Sequence, residues 1–93
     1  MTTKEIHKEI KTKRDQYLLG IISQFKESDE EKNIFNCYDY VKLIINLSKD
    51  TFLNSLSKEV REIVIEKYHI WFIPIESQST FAIFMQSNNI NLN

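Results

Sequence analysis

The sequence predicts an α+β domain, three helices packed as a bundle and followed by a C-terminal β-hairpin, with an all-α four-helix bundle as the alternative. Two observations carry this. Apolar residues recur at three- and four-residue spacing through the first two thirds of the chain, the signature of amphipathic helices. After Tyr68 that spacing gives way to two short apolar runs, one holding Pro74, separated by the polar stretch ESQST.

The first helix is predicted over residues 3–26. TTKE at its start reads as a capping box, Thr2 accepting from the backbone N–H of Glu5. Ile6, Ile10, Tyr17, Ile21 and Phe25 form its stripe, widened by Leu18 and Ile22. Gly20 lies inside this helix, where it costs about 1 kcal/mol relative to alanine, and close packing is the expected reason for it. SDEE suggests a second capping box, Ser28 with Glu31, opening a helix over 29–47. Its face is marked by Ile34, Tyr38, Val41 and Ile45 and broadened by Phe35, Cys37 and Ile44. A third helix over 51–68 follows, with Asp50 as its cap. Phe52, Leu53, Leu56, Val60, Ile63 and Val64 lie on its apolar side, and a break near Ser57 is possible.

The hairpin is predicted over 70–86. Pro74 forbids a helix interior and pushes its strand toward an edge. In the rival reading Ser79 caps a short fourth helix over 80–87. The tail, 87–93, is expected to fray, and residues 1–93 form one domain.

A chain of 93 residues buries roughly 60–65% of its unfolded surface, so the core is modest. Its 42% hydrophobic and 27% charged composition is that of a globular protein, and a formal charge of −1 argues against a general polyanion binder. Cys37 is the lone cysteine, which precludes an internal disulfide and favours a reducing compartment. The start is too polar for a signal peptide, and the longest apolar run, Ile70 to Ile75, is far short of the about 20 residues that span a bilayer. A cytoplasmic protein without membrane attachment is expected. Abundant Lys, Ile and Asn suggest an AT-rich coding sequence, a bias compatible with a phage- or plasmid-encoded protein.

Catalytic machinery is hard to find. With a single glycine, phosphate-cradling and dinucleotide-binding loops are excluded, as is a nucleophile elbow. Cys37, His7 and His69 have no chelating spacing. Glu66 and His69 match one Glu-x-x-His unit of a di-iron site, but the second unit and the bridging carboxylates it needs are missing. Cys37 has no general base beside it and is expected in the core. No cofactor, metal or enzymatic activity is expected.

Two binding surfaces suggest themselves. Lys4, His7, Lys8, Lys11 and Arg14 share a side of the first helix and could follow phosphates. Three helices and a hairpin also follow the element order of a winged helix. Against that reading, the third helix balances acids with bases, and no Lys or Arg follows Lys67. Nucleic-acid binding is therefore the second choice. The first is the C-terminal segment, where Glu76 is the only Asp, Glu, Lys or Arg after residue 67 and Tyr68, Trp71, Phe72, Phe81 and Phe84 concentrate. A hairpin apolar on both faces, with an uncharged edge, wants cover from another chain. The expectation is a non-catalytic regulator or inhibitor, self-associating as a homodimer and docking on a protein partner. Trp71, Phe72, Ile73, Phe81 and Phe84 would be its anchors, and Lys4, Lys8, Lys11 and Arg14 an electrostatic rim.

Overall fold

A computed structural model describes residues 2–67 and 73–92, apart from the side chains of Lys67 and Ile73. The order is α1 (Thr3–Glu27), α2 (Ile34–Ser55), α3 (Lys58–Lys67), a 3₁₀ turn (Ile73–Ile75) and α4 (Gln78–Ser87). Among the described residues there is no strand, and the molecule is an elongated helical bundle of 42 × 24 × 19 Å.

α1 begins as its sequence suggests, with the Thr2 hydroxyl accepting from the Glu5 N–H at 3.2 Å. It buries Ile10, Leu18, Ile21, Ile22 and Phe25. Ser28 does not open the next helix. Its own N–H and its hydroxyl both donate to the Phe25 carbonyl, at 3.0 and 2.7 Å, closing α1 instead. Lys32 reaches back to the same carbonyl at 2.6 Å and to that of Ser28, with its ammonium 4.8 Å from the Phe25 ring centre. Carbonyls orphaned at a helix end thus find a cation, which also suits the negative pole of the dipole. α2 then starts five residues later than predicted, capped by Asn33, whose carbonyl oxygen accepts from the Asn36 N–H at 2.8 Å.

The predicted boundary after Leu47 is a kink rather than an end. Ser48 departs from helical geometry (φ −123°, ψ 23°), and α2 resumes beyond it to Ser55. Asp50, expected as a cap, lies inside this second limb. The helix boundary falls at Ser57, where the sequence permits a break. There the Arg61 guanidinium donates to the carbonyls of Leu53 and Leu56, at 3.1 and 3.3 Å, covering the end of α2. The Glu9 carboxylate of α1 accepts from the Ser57 N–H and hydroxyl, at 3.0 and 2.9 Å, at the start of α3.

The expected hairpin is overturned, and the reason is local. ESQST is a helix start: Ser77 caps α4, its hydroxyl accepting from the Thr80 N–H at 3.2 Å while the Thr80 hydroxyl accepts from the Ser77 N–H at 3.0 Å. In a strand Phe81, Ile83 and Met85 would share a face. Instead Phe81, Phe84 and Met85 are buried and Ile83 is 62% exposed, a helical repeat. The alternative all-helical reading fits, although with Ser77 rather than Ser79 as cap. Residues 73–75 of the predicted first strand form the 3₁₀ turn, held by the Tyr38 hydroxyl donating to the Ile75 carbonyl at 3.1 Å. The tail is also structured. Asn89 adopts φ 55°, the Ile90 N–H bonds the Met85 carbonyl at 2.9 Å and the Asn89 N–H that of Gln86 at 3.1 Å, a Schellman motif that returns Ile90 and Leu92 to the core.

The core has two parts. The larger joins Leu18, Ile21, Ile22 and Phe25 of α1 to Cys37, Tyr38, Val41 and Ile45 of α2 and Phe81, Phe84 and Met85 of α4. The smaller joins Ile10 to Phe52, Leu56, Val60 and Val64. Phe35, expected on the apolar face of α2, points outward at 57% exposure. Gly20 is not explained by packing, because a Cβ there would meet nothing within 4 Å.

Two stability changes follow. Gly20→Ala should raise the unfolding free energy by about 1 kcal/mol in urea titrations, since only the helix cost of glycine is removed. Asn89→Val should lower it by about 1–2 kcal/mol, because a β-branched residue resists the left-handed conformation, whereas Asn89→Gly should be tolerated.

Candidate functional site

α4 is the element that distinguishes the surface. Its inner side is filled by Phe81, Phe84 and Met85, with Phe81 in tilted contact with Tyr38 at 5.7 Å between ring centres. Its outer side carries Gln78, Ser79, Ala82, Ile83, Gln86 and Ser87, all exposed and none ionisable. Beside it Arg14, Pro74, Thr80, Ile83 and Phe84 line a shallow depression. α4 and the 3₁₀ turn pack together, and Pro74, which forbids a helix interior, ends up buried next to α4.

The residues singled out from the sequence are not brought into one cluster. Trp71 and Phe72 lie outside the described residues, and so does the side chain of Ile73. Phe81 and Phe84 are buried in the chain's own core, at 0% and 8% exposure. Of the basic row, Arg14 alone lines the depression beside α4. Lys4, ten residues earlier, is about 15 Å away along the helix, and Lys4, Lys8 and Lys11 stand exposed on the half of α1 that meets α3. Two of these cations are engaged by one carboxylate. Lys11 Nζ lies 2.8 Å from Asp15 Oδ2, and Arg14 donates twice to Asp15 Oδ1, at 3.1 and 2.9 Å. Glu5 and Glu9 flank Lys8 on the same helix. The row is a mixed-charge face, and without a hairpin the winged-helix element order that supported nucleic-acid binding is lost.

Ile83 and Ala82 were not singled out from the sequence. A strand reading pairs Ile83 with Phe81, and only the Ser77–Thr80 capping box separates the two periods.

Cys37 is fully buried beside Tyr38 and Val41 in the larger core. Burial pushes its thiol up to about 11, slightly opposed by the positive charge of Lys32. A thiol so protonated is a poor nucleophile at neutral pH. Among the described residues no three His, Cys, Asp or Glu side chains converge to hold a metal ion, and no helix is long and apolar enough to cross a membrane. His69, the partner of Glu66 in the Glu-x-x-His pair, lies outside them. No family model, curated protein or solved structure matches the chain.

Cys37 gives a pH prediction. The folded chain holds this proton up to about pH 11 and the unfolded chain only to about 9. Stability is therefore unaffected by this group below pH 9 and falls as pH rises toward 11, by about 1.4 kcal/mol per unit. Denaturation of the wild type and Cys37→Ala across this window should show that extra slope in the wild type alone. Alkylation of the wild-type thiol at pH 8 should track global unfolding.

Proposed function

We propose that the chain is a non-catalytic, protein-binding regulator or inhibitor that docks through the outer face of α4 and the depression beside it. The observation that carries this is the absence of any ionisable side chain on α4, although half of that helix faces outward in a protein that is 27% charged. Ordinary solvated helix faces are strewn with Lys and Glu, and the centres of protein interfaces are depleted of them. Ile83 stands at the middle of this face with Ala82 beside it. Ser79 and Gln86 can hydrogen-bond at its margin, and Arg14 closes one side as a partly shielded cation.

Trp71 and Phe72 precede Pro74 by three and two residues, and as large aromatics they extend the same docking segment in the sequence. Phe81 and Phe84 then act from beneath, holding α4 in place. Docking of this kind uses the surface as it stands and requires no cofactor. The target is a protein surface with an apolar centre, and a second copy of the chain is one such surface.

The test is a substitution at the exposed centre. Ile83→Asp should fold like the wild type by circular dichroism, since the side chain is 62% exposed. It should also weaken partner capture by tenfold or more, the loss typical of a hot spot. Leu43→Asp, on the exposed face of α2, should leave capture intact. Light scattering of wild type and Ile83→Asp over a concentration series reads self-association through the same face. Equal capture and equal molar mass for the two proteins would remove α4 as the docking surface.

A further inference from the structure

We infer that the docking face receives the outer side of α3 from a second copy of the chain, with Ile65 of that copy in the depression beside α4 and its Glu62 and Glu66 against Arg14. The inference rests on the reading of α4 as a docking face and names its occupant.

The depression asks for a particular ligand chemistry. Pro74, Ile83 and Phe84 supply an apolar lining, Thr80 a hydroxyl and Arg14 a guanidinium. The Arg14 side chain is 16% exposed and donates to one oxygen of Asp15, while the other oxygen of that carboxylate holds Lys11. Two cations against one acid leave this margin with a net positive charge. α4 carries no ionisable side chain to offset it, and the sequence from 68 to 72 has no Asp or Glu that would. A cation partly shielded from water is also screened less by salt than one on open surface. The complementary group is an apolar side chain with a carboxylate within a helical turn of it.

α3 presents that combination. Val60 and Val64 are buried against Ile10, Phe52 and Leu56, so the opposite side of the helix faces outward. There Ile65 is 59% exposed, with Glu62 three residues before it and Glu66 directly after, both exposed. At spacings of three and four these side chains form one patch. Lys58 stands a turn further back. The Arg61 guanidinium is turned onto the carbonyls of Leu53 and Leu56 and does not neutralise the two glutamates.

The same packing fixes where the contact is made. Because α3 lays its valines on Ile10 of α1, its Glu62 side points away from the body that carries Arg14, and another copy must bring the two together. The contact joins two different patches, so a two-fold axis makes it twice and closes a dimer. A formal charge of −1 per chain opposes this only weakly. A short helix against a shallow depression, even twice over, lies at the small end of specific interfaces, about 1,200 Å² or less, and the dimer is correspondingly weak.

Charge exchange tests it, read by light scattering and sedimentation from low micromolar to millimolar concentration. The wild type should pass from monomer to dimer. Glu62→Lys combined with Glu66→Lys should weaken association about tenfold or more, as should Arg14→Glu, since each sets like charges against one another. Ile65→Asp should weaken it similarly by removing the apolar anchor. An equal mixture of the α3 charge variant and Arg14→Glu should associate about as well as the wild type, because both contacts in the mixed dimer again pair opposite charges. Circular dichroism checks each fold; if Arg14→Glu does not fold, the exposed substitutions on α3 decide the question with Arg14→Gln, which should also weaken association. A wild type that stays monomeric, association unchanged by the α3 variants, or no recovery on mixing folded variants would each overturn the inference. The α3 variants leave α4 untouched. Capture of a foreign partner that still depends on Ile83 would therefore keep the docking reading standing when this inference fails.

Discussion

The hydroxyl of Tyr17 at the bend of α2 is the contact on which the arrangement of this chain turns. A straight helix from Ile34 to Ser55 would be about 33 Å long and would carry Phe52 along a single line with Val41 and Ile45. The bend redirects the second limb so that Phe52 and Leu56 meet Ile10, and α3 then folds back along the first half of α1. Tyr17 suits the place because it is amphipathic, with a ring to pack on Phe52 and an oxygen to satisfy groups at Ser48. A phenylalanine would fill the space and leave the bent backbone without that donor.

Charged side chains close the helices as much as they solvate the surface. Lys32 covers the end of α1, Arg61 the end of α2, and Glu9 meets the start of α3. Each charge sits at the dipole end that favours it. Lys11 and Arg14 share Asp15. A tally of basic residues along α1 therefore overstates the positive potential available to a ligand, and the near-zero net charge has a structural counterpart.

How far the fold could be read from the sequence differs by element. α1 was legible because its apolar repeat runs over many turns, enough for the period to be unambiguous. The change at residues 47–48 was legible as a discontinuity but not as a bend, since SKDT supplies the residues of a cap and those of a back-bonded kink alike. Ser28 is ambiguous for a related reason: a serine near a helix end serves the helix before it as readily as the one after. FAIFM is too short for its period to decide between strand and helix, and the decisive signal was the three-residue spacing of Ser77 and Thr80. The tail could be read only through Asn89, where an αL-tolerant residue precedes an apolar one. The site was legible as a region and not as residues. The fall in charge after Lys67 is plain in the sequence, but which apolar side chains face outward depends on the helical repeat.

That repeat also changes the argument for a partner. A two-stranded hairpin has two apolar faces and an unpaired edge, and a chain of this size has little with which to cover both. A helix needs cover on one side only, which Tyr38, Phe25 and their neighbours supply from within the molecule, and its backbone bonds are internal. The demand for a second chain to complete the core thus disappears, and with it the edge-pairing argument for a homodimer. What remains is an outward face without charge, and it is not required by folding: Lys or Glu at Ser79, Ala82 or Gln86 would cost the core nothing and would raise solubility. A face that stability leaves open to charge, and that nevertheless has none, has the composition of a surface that other proteins touch.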